Sequence, residues 1–267
     1  MQKYKKKYNV ILDNMDLQAY RLRPVSAIMY VQDCFARFMA TKEMAAYDLF
    51  PKNIYWVVGE FNINFTDNLP FWSEEIEAEI WISELSKLKI YTDFNIYYNG
   101  EVFAQGNACW FLIDTEKKRP IQVNIFSNKF DVCNELVLGE HHKFSFPKTV
   151  EKTSEIIHTI NLSDIDFNCH VNNKSYINLV EMTESNEFKQ NNIIKQLNVR
   201  FNRETFFGDI LKCSTYKTSD ENLLAYKIEK DEESVCEITT LWEARPETAD
   251  ILHYDLKVKS ENLSVSI

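Results

Sequence analysis

Two halves of the chain follow the same order of elements, and this repeat narrows the fold more than any other feature. From Pro24 onward Ile28, Val31, Phe35, Phe38 and Met39 recur at helical spacing, with Pro24 placed where a first helical turn tolerates it. Strand-like runs follow at Ile54 to Phe65, Glu75 to Leu85, Leu88 to Tyr98 and Val102 to Ile113, the last two joined by the turn dipeptide Asn99-Gly100. A helix-like pattern from Asn172 to Phe188 then opens a second round, followed by runs at Ile193 to Asn202, Asp209 to Thr218, Asn222 to Glu229 and Val235 to Ala244. The register is shared as well as the order. Phe61-Asn62-Ile63-Asn64-Phe65 matches Leu197-Asn198-Val199-Arg200-Phe201, and Trp110 and Trp242 fall at equivalent ends of the last strands.

One helix wrapped by an antiparallel sheet leaves a sheet edge to cover, and a second copy of the same unit covers it. The expected fold class is therefore α+β, a tandem or double hotdog in which each module is a long helix wrapped by an antiparallel sheet. Residues 115–150 connect the copies. The module boundaries are expected at 1–130 and 151–267, with 131–150 as linker and the acidic stretch after Pro246 peripheral.

Composition excludes several classes. The 267 residues are 45% hydrophobic, with 18 Phe, 13 Tyr and 5 Trp against only 5 Gly and 6 Pro, which describes long strands and an aromatic core. No glycine-rich phosphate loop or dinucleotide fingerprint occurs. A net charge of −10 argues against nonspecific nucleic-acid binding, which needs a basic surface. Cys34, Cys109, Cys133, Cys169, Cys213 and Cys236 show no CxxC spacing, and Lys3, Lys5, Lys6 and Lys7 precede polar sequence, not an apolar signal segment; a reduced, cytoplasmic protein is expected. No apolar run approaches the roughly 20 residues that cross a bilayer, so no membrane span is expected.

The chemistry concentrates in Asp166-Phe167-Asn168-Cys169-His170-Val171-Asn172-Asn173, in a chain with only five histidines. An extended segment places Asp166, Asn168 and His170 on one face, spaced by about 6 to 7 Å per step, while Asn172 or Asn173 suits the cap of the following helix. Cys169 then faces away and is expected to be buried and inert.

With Asp166-x-Asn168-x-His170-Val171-Asn172-Asn173-x-x-Tyr176 followed by Val199-Arg200-Phe201-Asn202-Arg203-Glu204, the chain resembles the acyl-acyl carrier protein thioesterases, double-hotdog enzymes of plants and bacteria, over nearly its whole length. The resemblance implies a catalytic set of Asp166, Asn168, His170 and Glu204, no cofactor, and acyl carrier protein bearing a fatty acyl thioester as partner. Glu204 suits the general base on water, Asn168 and His170 the oxyanion donors, and Asp166 the group that holds one of them in place. The family commonly has cysteine where this chain has Thr205, so water is the simplest nucleophile. By strict strand alternation Glu204 is in phase with Arg200 and Asn202, away from the core, and a surface pairing with Arg200 or Arg203 is its bland alternative.

In the first module the position before Pro24 reads Tyr20-Arg21-Leu22-Arg23, without the acid, amide and imidazole; one active site per chain is expected. The candidate substrate contacts are Phe35, Met39, Asn172 and Tyr176, with the first-module helix taking the acyl chain. An acidic carrier protein calls for a local basic patch, for which Lys174, Lys189, Lys195, Arg200 and Arg203 are the candidates. The sequence leaves open a homodimer, an acyl-CoA thioesterase of the same fold, a hotdog hydratase and a noncatalytic acyl-binding protein.

Overall fold

In the computed structural model, which describes residues 3–16, 21–141 and 143–246, the helical spacing after Pro24 becomes α1 (Ala27–Ala40), led in by a 3-10 turn at Pro24–Ser26. Ile28, Val31, Cys34, Phe35, Phe38 and Met39 are buried along one side, an apolar stripe that seats the helix on the sheet. The first module's strands are β1 (Tyr4–Asn9), β2 (Ile54–Phe65), β3 (Glu75–Leu85), β4 (Lys89–Tyr98) and β5 (Glu101–Asp114), with a short α2 (Ala46–Leu49) before β2 and a two-residue β6 (Arg119–Pro120) folded back on β5. The second module repeats the series with β7 (Glu151–Thr159), α3 (Asn173–Thr183), α4 (Asn186–Asn191), β8 (Asn192–Phe201), β9 (Ile210–Lys217), β10 (Leu223–Lys230) and β11 (Glu233–Ala244).

All these strands join one antiparallel sheet in the order β1-β3-β4-β5-β2-β8-β11-β10-β9-β7. Reading inward from either end gives the same series, so the two modules meet as mirror-ordered halves at β2 and β8. Asn62 pairs with Asn198 at the middle of that junction. The double hotdog expected from the repeat is present. Gly106 permits one close approach, since a Cβ there would lie 2.0 Å from the Asn62 carbonyl oxygen of the neighbouring β2.

The sequence patterns missed β1 and β7, the two outermost strands. The solvent-facing positions carry Lys5 and Lys7 in β1 and Glu151, Lys152, Glu155 and even Ile157 in β7, so a clean apolar alternation is absent; β1 is read instead by ion pairs to β3, Lys5 with Glu77 and Lys7 with Glu75. The helix expected over 172–188 is two helices. Ser185 takes an extended conformation and accepts the Phe188 N–H on its hydroxyl (3.1 Å), capping a new helix in place of continuing the old one.

The connection between modules is more than a linker. It crosses the sheet face turned away from α1: Cys133 N–H donates to Ile82 O (2.8 Å), Trp81 Nε1 to Glu135 O (2.9 Å) and Val137 N–H to Asp93 Oδ1 (2.9 Å). Farther on, Phe144 lies under the Arg200 guanidinium of β8 and Phe146 meets Tyr216 of β9 edge-on. This strap explains why β3 and β4 are buried on both faces. Among the described residues no helix is long and apolar enough to cross a membrane. Residues after Pro246, expected to be peripheral, lie outside the described set, as does Tyr20.

Candidate active site

The motif ahead of α3 is a tight turn, not an extended run. Asp166 N–H donates to His170 O (2.8 Å), Cys169 N–H donates to Asp166 O (3.0 Å), and Cys169 sits in the left-handed region at φ +63°. The Asp166 carboxylate accepts the backbone N–H of Asn168 (2.8 Å), so its observed work is to hold the turn. Shared facing by strand alternation is therefore replaced by a loop whose own hydrogen bonds fix its backbone. Asn172 caps α3, its Oδ1 accepting the Lys174 N–H (2.9 Å). Cys169, expected to be buried, is exposed because the left-handed turn carries it outward; Cys34, Cys109 and Cys213 are buried, which pushes each thiol up to about 12.

Glu204 lies beyond the end of β8, in the loop to β9, so strand phase does not govern it. Thr205 O accepts the Val171 N–H (3.0 Å), and the buried hydroxyls of Thr205 and Tyr176 are 2.6 Å apart, tying the loop to α3. Tyr176 thus anchors the loop from within. With that anchor in place Glu204 Oε1 stands 3.5 Å from His170 Nδ1, an ion-pair distance, with the two side chains 28% and 21% exposed. They are sheltered yet reachable. The Phe206 ring is edge-on to His170 at 5.2 Å. Arg200 and Arg203 pair with Glu237 and Glu233, so the surface pairing weighed for Glu204 is not formed.

Two residues of the first module complete the surroundings, and nothing in the sequence marked them. Tyr55, on β2 and 149 residues away in the chain, donates its phenolic hydrogen to Glu204 Oε1, and its ring lies 6.0 Å from that of His170. Burial and the Glu204 hydrogen bond raise the Tyr55 phenol above its ordinary value, so it stays a donor at neutral pH. Lys118, in the turn between β5 and β6, places Nζ 3.6 Å from Glu204 Oε2.

The first module repeats the hydrogen bonds that flank this loop, and they place Arg21 and Leu22 of the segment before Pro24 at the positions of His170 and Val171. Asp16 N–H donates to Arg21 O as Asp166 does to His170 O, Leu22 N–H to Pro70 O as Val171 does to Thr205 O, and Phe71 N–H to Glu74 as Phe206 does to Asp209. Arg21, stacked on Phe71, therefore stands in the place of His170, and Leu69 in the place of Glu204. The base position is apolar.

Phe35 and Met39 are buried: Phe35 stacks on Trp110 with ring centroids 3.7 Å apart, and Met39 has no exposure. The proposed basic patch is not free either. Lys174 and Lys189 bond Asn14 and the Glu181 carbonyl, Lys195 pairs with Asp67, and the two arginines are engaged as above.

The family model described as acyl-ACP thioesterase N-terminal domain matches residues 1–125, and that of the acyl-ACP thioesterase C-terminal domain matches residues 148–244. The chloroplastic palmitoyl-acyl carrier protein thioesterase of Arabidopsis thaliana is 24% identical over 180 residues, covering 64% of this chain and 43% of that protein. The chain thus matches less than half the length of this curated relative. A Lactobacillus plantarum protein provisionally assigned as an oleoyl thioesterase superposes with a TM-score of 0.80 at 19% identity, covering 92% of this chain and 98% of that one. For an acyl-ACP thioesterase from Bacteroides thetaiotaomicron the TM-score is 0.74 at 20% identity, covering 90% and 98%. At such identities the likeness concerns the fold, and it extends across both modules; with the two domain matches, the chain belongs to the acyl-ACP thioesterase family.

Proposed function

We propose that the protein hydrolyses the thioester of a fatty acyl chain carried on acyl carrier protein, releasing free fatty acid and the carrier thiol. The observation that carries this reading is the convergence of Glu204, from the loop after β8, on His170, which closes the turn that bears Asn168. Glu204 takes a proton from water as the oxygen attacks the thioester carbonyl, and Asn168 and His170 donate to the oxyanion that forms. Collapse of that intermediate breaks the C–S bond, and the thiolate leaves and is protonated. Asp166 acts through the turn, holding Asn168 in position.

The acyl chain runs toward the first module, with Phe35 and Met39 as the residues whose size sets how much of it fits. Each buried methylene is worth about 0.8 kcal/mol, which lets depth discriminate chain length without moving the reacting carbonyl. Asn172 and Tyr176 serve the site by fixing α3 and the Glu204 loop.

The test is thiol release from acyl carrier protein and coenzyme A thioesters of several lengths. Preferential turnover of the carrier thioesters is expected, with Asn168→Ala and His170→Ala each about 100-fold lower in kcat and Glu204→Gln near background. A chain-length profile that shifts in Met39→Ala supports the acyl path. Absence of thiol release from every thioester, or full turnover by a folded Glu204→Gln, overturns the reading. Faster turnover of coenzyme A esters reassigns the carrier.

A further inference from the structure

The carboxylate of Glu204 belongs to the second module, yet its two oxygens are met by side chains of the first. Tyr55 lies on the part of β2 that continues past its pairing with β8, which spans Glu60 to Asn64, and so reaches the loop beyond the end of β8. Only 8% of Tyr55 is exposed, and its hydroxyl is directed at Glu204 Oε1. The other oxygen faces Lys118, whose backbone takes φ +51°, a region that a residue with a Cβ seldom adopts. That conformation is built in. Asp114 accepts the N–H groups of Glu116 and Lys117 on its carboxylate and that of Lys118 on its carbonyl, closing the turn between β5 and β6 and presenting the lysine to Glu204. The ammonium also lies 5.8 Å from the Tyr55 ring centre.

We propose that Tyr55 and Lys118 are positioning residues of the thioesterase site, holding the Glu204 carboxylate oriented toward His170, so that the first module completes the catalytic apparatus of the second. This rests on Glu204 being the base. A hydrogen bond donated to one carboxylate oxygen fixes the direction of the group, and a cation beside the other oxygen restrains it further. The phenol supplies the directional contact, being buried and rigid, and the exposed ammonium supplies a weaker, salt-screened one. Neither group touches the scissile bond. Their effect is on where the free lone pairs of Glu204 point.

The test uses the full chain with Tyr55→Phe, which keeps the ring and removes only the hydroxyl, and Lys118→Met, whose side chain is largely exposed and leaves the core untouched. Tyr55→Phe is expected to lower kcat about tenfold or more with KM within about twofold. Lys118→Met lowers kcat by less, and its effect fades in high salt. A second readout needs no substrate: with glutamate carboxyl carbons labelled, the resonance absent from Glu204→Gln is compared in wild type and both variants. A displaced resonance in Tyr55→Phe sustains the proposal. An unchanged resonance or an unchanged kcat in a folded Tyr55→Phe protein overturns it, even if the wild type is an active thioesterase. A displaced resonance in a protein that cleaves no thioester leaves this coupling standing and removes the proposed reaction instead.

Discussion

At the residue scale, Cys169 illustrates how a local backbone choice decides chemistry. Its φ of +63° belongs to a region where Gly and Asn are at home, and it turns the thiol to solvent while the other five cysteines are buried. A disulfide reagent is expected to modify one thiol rapidly in the native protein and six after unfolding. Cys169→Ser is expected to lose that fast reaction and keep substantial hydrolysis, because the proposed nucleophile is water. Rapid modification of two or more native thiols would contradict the burial pattern. Asp166, Asn168 and His170 were legible as a set from their spacing, but their arrangement was not: the hydrogen bonds that close the turn compete with an extended backbone and win, since Asp and Asn side chains satisfy neighbouring N–H groups.

At the element scale, the strands with one apolar face were readable from the sequence to within a residue or two, and the edge strands were not. β1 has no apolar alternation of its own beyond Tyr4 and Tyr8, and its place is set by glutamates on β3 more than sixty residues away. The junction of β5 with β2 shows the opposite case, where one residue carries a strong demand that spacing does not reveal. Gly106→Ala would bring a methyl group to 2.0 Å from a backbone carbonyl and 2.9 Å from the Ile63 Cα, neither of which can swing aside. A loss of at least about 2 kcal/mol is expected in chemical denaturation. Gly100→Ala gives the comparison, since its Cβ meets no neighbour and only the φ of +82° opposes it.

At the scale of the whole molecule, the strap across the outer sheet face joins the modules a second time, besides the β2–β8 junction. His141 fastens it: the ring stacks on Tyr91 at 4.2 Å, Nε2 lies 3.0 Å from Asp93 Oδ2 and 2.9 Å from Ser83 Oγ, and Nδ1 lies 3.2 Å from Glu84. Burial opposes the imidazolium, but the Asp93 and Glu84 carboxylates outweigh it and hold the His141 pKa above its ordinary value. A group raised in the folded state stabilises fully below its unfolded pKa, about 6.5 for histidine, and loses that contribution as pH rises through the folded value. His141→Gln is therefore expected to lower Tm most at pH 6, with the gap to wild type narrowing as pH rises above about 6.5. A gap that is constant or widens with pH removes the imidazolium from the account.

What the sequence determined by itself was everything set by short-range periodicity and residue type: two copies of a helix with its strands, the Asn99-Gly100 turn, and the acid, amide and imidazole in front of the second helix. Each of these depends on neighbours a few residues apart, so spacing carries it. Tertiary structure decided what depends on contacts between distant segments. It set the tight form of the motif, the seat of Glu204 in a loop anchored by Thr205 and Tyr176, and the burial of Phe35 against Trp110. It also brought Tyr55 and Lys118 to a carboxylate in the other module, because the antiparallel meeting of β2 and β8 runs one strand's free end past the other's loop, a geometry that no local pattern encodes.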